Sequence, residues 1–335
     1  MRVVDVHIHW SPKSLMADAL AQLTTPDAKL TRYTDGVPSY TVHNQLHDLD
    51  RHLAMMDYGG TDVAVISSAE GMPGNLERSK VVNDELAREV PRFKGRIVGM
   101  GHTAPLAGKV GLDELDRCWQ DLGLRGVAIA STLSGKGLDD EDLFPFYEHC
   151  QAAGQFIFVH PTLACGTLGS QGFQVYDLFR TVGREFELVT AVMRLVCGGV
   201  LDEFPRLNVI MSHFGGGITS LVGRIRDYQD KEFWGLLDDP IHGKKPKHDF
   251  DSYLSRLYFD TGGHFGDITA VKAALLNIPA SNILFGTDYP PEIRGQDKVK
   301  AFVEALKALD LPPHQVEAIL GGNAAKIVGL QPTAE

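Results

Sequence analysis

Near its start the chain contains Val3-Val4-Asp5-Val6-His7-Ile8-His9, a short β-branched run that carries two histidines at its end. Similar apolar runs recur along the chain, and amphipathic stretches separate them. The eight runs are Val3–Val6, Asp62–Ile66, Ile97–Met100, Val127–Ile129, Phe156–Val159, Val209–Met211, Leu257–Phe259 and Ile283–Phe285. Short apolar strands that alternate with helices are typical of a parallel sheet covered by helices. Eight such units predict an α/β fold of the (β/α)8 TIM-barrel type, and a doubly wound open sheet is the alternative.

Two segments interrupt this alternation. Residues 11–40 are rich in Pro, Thr and Asp and directly follow the first strand, and Gly235–Asp251 contains a short basic run. Long loops in compact domains are often lids or binding loops, although both segments can also be plain surface insertions. Neither resembles an interdomain linker. We therefore predict one domain over residues 1–335 with an insertion loop at about 11–40.

The composition excludes several classes of protein. The 335 residues are 44% hydrophobic and 22% charged, which disfavours disorder and coiled coils. The net charge of −11 disfavours a general nucleic-acid or anionic-membrane surface. No signal-like segment, no apolar run of about 20 residues and no CxxC spacing is present, so we expect free thiols in a reducing cytoplasm and no membrane partner.

Polar side chains stand where the predicted strands end. His7 and His9 are two residues apart and so point to one face of a strand, and His160, His213 and Asp288 each follow a later apolar run. A single strand-end histidine is often only a hydrogen-bonded structural residue. Barrel enzymes, however, place their functional groups at this end of the strands. Three histidines and a carboxylate suit a divalent ion such as Zn²⁺, with Mn²⁺ as the alternative.

These motifs together resemble a known family. Asp5-Val6-His7-Ile8-His9, Val159-His160-Pro161, Ser212-His213-Phe214-Gly215-Gly216-Gly217 and Gly286-Thr287-Asp288-Tyr289-Pro290 are similar to motifs of the amidohydrolase superfamily. The branch is the one that contains aminocarboxymuconate semialdehyde decarboxylase and related aromatic-acid decarboxylases. The resemblance implies that His7, His9, His160 and Asp288 bind the metal, and that His213 and Asp288 are catalytic.

The resemblance also implies substrate contacts and a homo-oligomer. Arg224 matches an arginine that reaches a substrate carboxylate from a neighbouring subunit, although a solvated helix residue is the alternative. A second family arginine aligns with His52, with Arg51 beside it. Trp10 can form a pocket wall or belong to the core. No lysine ends the run Gly126–Ala130, where binuclear relatives carry a bridging lysine, so we expect one ion per chain.

Three reactions fit these residues. The resemblance favours non-oxidative decarboxylation of an aromatic or unsaturated carboxylic acid. The alternatives are metal-dependent hydrolysis of an ester, lactone or amide bond, and hydration of an unsaturated diacid. A non-catalytic metal-binding protein would need a closed site without a spare acid or base, and His213 beside the ligand set speaks against it.

Overall fold

Eight parallel strands form one sheet whose spatial order follows the order of the chain. The computed structural model describes residues 1–34, 36–163, 169–229 and 246–331. The strands β1 to β8 are, in order, Val4–His9, Val63–Ser67, Ile97–Gly101, Arg125–Ala130, Phe156–His160, Asn208–Met211, Tyr258–Asp260 and Ile283–Leu284. All eight predicted strands are confirmed. Every residue of β1, β2 and β5 is buried, as expected for strands covered on both faces.

Contacts between β1 and the end of the sheet close the barrel. The amide of Val6 donates to the carbonyl of Phe285 (2.9 Å), and the amide of His9 donates to the carbonyl of Tyr289 (2.8 Å). The buried Asp5 carboxylate adds a side-chain tie, because it accepts from the hydroxyl (2.6 Å) and the amide (3.1 Å) of Thr287. The structure is therefore a (β/α)8 barrel and not an open doubly wound sheet.

Helices cover the outside of the barrel. Their bounds are Lys13–Leu20, Leu49–Gly59, Leu76–Glu89, Lys109–Asp116, Phe144–Ala153, Arg184–Cys197, Val200–Glu203, Val222–Gln229, Phe250–Leu254, Ile268–Ala274, Gln296–Lys307, Pro313–Glu317 and Asn323–Val328. The helix Leu49–Gly59 shows how the sequence sets these bounds. The Asp48 carboxylate accepts from the amide of Arg51 at its start, and Gly60 takes a left-handed conformation at its end. None of the helices in the described ranges is long and apolar enough to cross a membrane.

The insertion after β1 has regular structure, which the prediction of a loop over residues 11–40 did not include. It contains the helix Lys13–Leu20 and an antiparallel hairpin of Leu30–Thr34 with Val37–Val42. Met16, Ala19, Val42 and Leu46 form a small separate apolar cluster that holds the helix and hairpin together. Of the second irregular segment, 235–251, residues 235–245 lie outside the described residues.

Candidate active site

Three imidazoles and one carboxylate converge at the carboxyl ends of the strands. His9 Nε2 lies 3.1 Å from both His7 Nε2 and His160 Nε2, and 3.0 Å from Asp288 Oδ1. All four side chains are buried, and these ligand-type atoms lie within 4.8 Å of one another. The structure therefore brings together the four residues for which the sequence predicts metal binding.

This donor set fits a divalent ion. Ligands held 2.0–2.1 Å from a tetrahedral ion are about 3.3 Å apart, close to the spacing seen here. Asp288 Oδ1 and His9 Nδ1 are buried and have no hydrogen-bond partner in the described part of the chain, so the carboxylate oxygen that faces the imidazoles has no donor of its own there. Burial lowers the pKa of both His9 and His160, which keeps these rings in the neutral form that binds metals.

Asp260 fixes the orientation of His7. Its Oδ2 lies 2.9 Å from His7 Nδ1, which leaves Nε2 directed at the candidate metal position. Its Oδ1 accepts from the amides of His213 (3.0 Å) and Gly262 (2.8 Å). Asp260 was not predicted from the sequence, although it ends β7 in the same way that His160 ends β5 and so follows the same strand-end pattern.

His213 lies between two carboxylates. Its Nε2 is 3.4 Å from Asp288 Oδ2, and its Nδ1 is 2.9 Å from Glu185 Oε1. Burial alone would lower the pKa of His213, but the nearby Glu185 and Asp288 outweigh burial and raise that pKa well above its usual value. Asp288 thus directs Oδ1 to the cluster of three imidazoles and Oδ2 to His213. Glu185 lies in the first turn of the helix Arg184–Cys197. It stands 28 residues before His213 in the sequence, and no local pattern pointed to it.

The backbone around His213 winds with a left-handed twist. Residues 213–217 all have positive φ, from 52° at Phe214 to 73° at Gly216 and Gly217. A Cβ on Gly216 would lie 2.0 Å from the carbonyl oxygen of Glu185, and a Cβ on Gly263 would lie 2.2 Å from Cγ of His213. The glycines therefore allow the turn to pack directly against the helix that carries Glu185, with the ring of His213 against Gly263.

A cavity of about 810 Å³ opens onto these groups. Its wall includes His9, His160, His213 and Asp288, side chains from the insertion such as Lys29 and Tyr40, and several further charged residues. The charged residues outside the insertion are Arg51, Asp177, Arg180, Arg184, Glu185, Glu292 and Arg294. Burial and the neighbouring Asp288 raise the pKa of Glu292 to about 8. Glu292 also forms a second cluster with His213 and Asp288 that offers metal-ligand atoms.

The predicted substrate contacts lie in different places. Arg51 lines the cavity. His52 and Trp10 do not: the ring nitrogens of His52 face the carbonyls of Asp48 (2.7 Å) and His9 (3.0 Å), and Trp10 Nε1 donates to the carbonyl of His47 (3.2 Å). Both side chains are buried outside the wall of the cavity, so the structure gives no direct support to the prediction that they contact the substrate.

Arg224 is exposed on the helix Val222–Gln229, outside the cavity of its own chain. Its guanidinium carbon lies 4.7 Å from the ring centroid of Tyr228. Lys136, the lysine nearest to the end of β4, pairs with Asp140 (3.0 Å) and Asp142 (2.5 Å) and also lies outside the cavity wall.

Comparisons with known proteins agree with this architecture. A profile of the family described as Amidohydrolase matches residues 4–330. The 2-amino-3-carboxymuconate-6-semialdehyde decarboxylase of Dictyostelium discoideum is 28% identical over 312 residues, which cover 89% of this chain and 81% of that protein. The structure of 5-carboxyvanillate decarboxylase from Sphingomonas paucimobilis superposes with a TM-score of 0.82 at 24% identity, covering 98% of this chain and 99% of that chain.

A further structure shows the same fold with a metal. The dihydroxybenzoic acid decarboxylase of Polaromonas sp. JS666, solved with manganese and the inhibitor 2-nitroresorcinol, has a TM-score of 0.79 at 21% identity. The alignment covers 99% of this chain and 98% of that chain.

Proposed function

Because the chain belongs to the amidohydrolase family, we propose that it is a metal-dependent, non-oxidative decarboxylase of an aromatic or unsaturated carboxylic acid. It is an enzyme on the branch whose named relatives are carboxy-lyases. The observation that carries the proposal is the two-sided environment of Asp288, with Oδ1 3.0 Å from His9 Nε2 and Oδ2 3.4 Å from His213 Nε2. The Asp288 carboxylate thus joins a metal-ligand cluster to an acid–base histidine. In this proposal residues 1–335 act as one catalytic domain.

In this proposal His7, His9, His160 and Asp288 hold one divalent ion. Three imidazoles favour Zn²⁺, and the manganese in the Polaromonas relative makes Mn²⁺ the second candidate. A bound ion supplies Lewis-acid chemistry, because it orients and polarises an oxygen of the substrate. Asp260 supports this set by holding His7 Nδ1 at 2.9 Å.

His213 and Asp288 handle the proton of the reaction. Glu185 holds Nδ1 of His213, so that Nε2 stays directed at Asp288 Oδ2 and the cavity. The pair delivers a proton to the substrate carbon that bears the carboxylate. The bond from that carbon to the carboxylate then breaks, its electron pair stays with the ring or double bond, and CO₂ leaves.

Arg224 supplies a guanidinium to the neighbouring subunit in a homo-oligomer, a dimer or larger. Two features support this assignment: Arg224 is exposed, and it lies away from the cavity of its own chain. A guanidinium matches a carboxylate bidentately, which an ammonium cannot do. We place the enzyme in the cytoplasm, in keeping with the buried thiols of Cys118 and Cys150, which form no disulfide with another described residue.

Hydrolysis is the other reaction that this donor set can serve, because a metal site with an adjacent base also promotes attack of water on a C=O bond. Decarboxylation is favoured by the names of the relatives, which include gamma-resorcylate decarboxylase from Rhizobium sp. (strain MTP-10005).

The test is a substrate panel in heavy water. Protein loaded with Zn²⁺ or Mn²⁺ is incubated with carboxyl-¹³C-labelled hydroxybenzoic acids, and the labelled CO₂ and the deuterium in the product are measured. The expected result is release of labelled CO₂ with one deuterium at the carbon that carried the carboxylate. Hydrolysis of esters or lactones by the same preparation, with no CO₂ from any acid, would replace the proposal by the hydrolase alternative.

A further inference from the structure

Arg184 is a cationic group of the cavity wall that the proposed reaction leaves unused. It starts the helix Arg184–Cys197 and lines the cavity. Its guanidinium carbon lies 5.7 Å from the ring centroid of Phe179. Two of its three guanidinium nitrogens, Nε and Nη2, are buried and have no hydrogen-bond partner among the described residues. Buried donors of this kind are rare in folded proteins, because leaving them unpaired costs stability.

The other arginine of this wall is already neutralised. Arg180 donates from Nε (2.8 Å) and Nη2 (2.5 Å) to the carboxylate of Asp177, and from Nη1 to the hydroxyl of Thr41 (3.1 Å). Arg184, in contrast, forms no ion pair with a carboxylate in the described part of the chain, although Asp288, Glu185 and Glu292 are close enough to act on it electrostatically. Of the two, Arg184 is the guanidinium with free donors.

Arg184 lies beside the reacting centre without forming an ion pair with it. Its neighbour Glu185 contacts Nδ1 of His213, the ring nitrogen that faces away from Asp288. No oxygen of Asp288 lies within ion-pair distance of the Arg184 guanidinium. The unpaired donors of Arg184 are thus available to an acidic group other than the carboxylate that reacts at Asp288.

We propose that Arg184 binds a second acidic group of the substrate, so that the enzyme prefers aromatic diacids over monoacids. The inference rests on the proposed function for the identity of the first acidic group. The second group, a carboxylate, accepts hydrogen bonds from Nε and Nη2 of Arg184 in the planar, bidentate arrangement that a guanidinium favours. The substrate then spans the cavity from the metal-ligand cluster to the start of the helix Arg184–Cys197.

Binding of unreactive acids tests this without turnover. Benzoate, phthalate, isophthalate and terephthalate are titrated calorimetrically into the Mn²⁺-loaded and the metal-free full-length protein. Hydrogen bonds to a charged group contribute about 1.5–3 kcal/mol, which converts to about tenfold to 150-fold in affinity. Arg184→Ala should weaken binding of at least one diacid by this factor while benzoate binding changes less than threefold. Arg184→Lys should recover only part of the loss.

The control is Arg180→Gln, which removes one positive charge from the same wall but from a guanidinium held by Asp177. It should change the affinities for diacid and monoacid by equal factors. If Arg184→Ala weakens benzoate and the diacids equally, Arg184 binds the reacting carboxylate and the inference is wrong. It is also wrong if no affinity changes. If the alanine variant does not fold, the diacid-to-benzoate ratio of Arg184→Lys decides. If the preference for diacids depends on Arg184 but no acid releases CO₂, the inference about Arg184 stands and the proposed decarboxylation is wrong.

Discussion

Replacement of His213 by alanine separates chemistry from metal binding. The ring of His213 lies with its centroid 5.3 Å from that of His7 and 5.9 Å from that of His160, outside the four-residue ligand cluster. Its nearest contact in that cluster is Asp288 Oδ2 at 3.4 Å, and Asp288 keeps Oδ1 beside His9 without it. We therefore expect His213→Ala to bind its metal ion normally.

The loss of activity should be large. Positioned general acids and bases contribute about 10²–10⁴-fold to rates, which corresponds to about 3–5 kcal/mol in the activation free energy. The upper part of this range applies here, because His213 is buried and held by a carboxylate on each side. Glu185→Gln keeps a hydrogen-bonding group beside Nδ1 but removes its charge, so its effect should be smaller, about tenfold in kcat with little change in KM.

The assay combines elemental analysis of the purified variants with initial rates of CO₂ release. His149→Gln is the matched control, because His149 pairs with Asp116 at the surface, 3.0 Å away, and does not line the cavity. The reasoning is refuted if His213→Ala loses its ion together with its activity, since His213 would then be a ligand. Equal losses of kcat in the control and in His213→Ala would refute it as well.

Four further results are expected. Purified protein should carry about one divalent ion per chain, and His160→Ala should lose both the ion and the activity. Two ions per chain that are both needed for activity would contradict the single-metal site. Mixing Arg224→Ala chains with His160→Ala chains should restore part of the activity once subunits exchange, because each variant then supplies the residue that the other lacks. If no activity returns after exchange is confirmed, Arg224 does not act in the neighbouring subunit. Gly263→Ala, whose Cβ would lie 2.2 Å from Cγ of His213, should lower the free energy of unfolding by about 1–3 kcal/mol and slow turnover. Gly295→Ala, whose Cβ meets nothing within 4 Å, should leave turnover unchanged and cost less than about 1 kcal/mol of stability, because Gly295 is the N-cap of the helix Gln296–Lys307. Burial lowers the pKa of His102 to about 3, so the ring stays neutral in the folded protein, whereas in the unfolded chain it takes up a proton below its ordinary pKa of 6.5. The free energy of unfolding should therefore fall by about 2 kcal/mol from pH 6.5 to pH 5. His102→Gln should remove this part of the pH dependence, as measured by urea unfolding.

The barrel was predictable because its strands are buried on both faces. A run such as Phe156–Val159 has no polar position that a half-exposed strand would need, and it ends at the candidate ligand His160. In the structure β1 ends at His9 and not at the predicted Val6. The strand continues because the amide of its last residue, His9, donates to the carbonyl of Tyr289. Three separate strand ends thus indicated one metal-ligand cluster, and a fourth indicated His213 beside it.

The insertion and the supporting charges were not predictable in the same way. The helix Lys13–Leu20 and the following hairpin depend on a cluster of a few apolar side chains that are spread between Met16 and Leu46. These side chains are too sparse to give a periodic pattern. Glu185 and Arg184 start a helix, and their roles depend on contacts with residues far away in sequence. His52 aligned with a family arginine, but the structure turns its ring towards the backbone of β1.

The closed seam of the barrel has a consequence for how the enzyme is made. The candidate ligands stand at positions 7, 9, 160 and 288, and the contacts between Val6 and Phe285 and between His9 and Tyr289 are what bring the first and last of them together. A ribosome must therefore release almost the whole chain before a four-ligand site exists, and a nascent chain can offer an ion only the two neighbouring histidines of β1 and later His160. In the proposed metal-dependent enzyme, the ion enters the complete site only after both sides of the seam are present, and its binding free energy then adds to the contacts that close the seam.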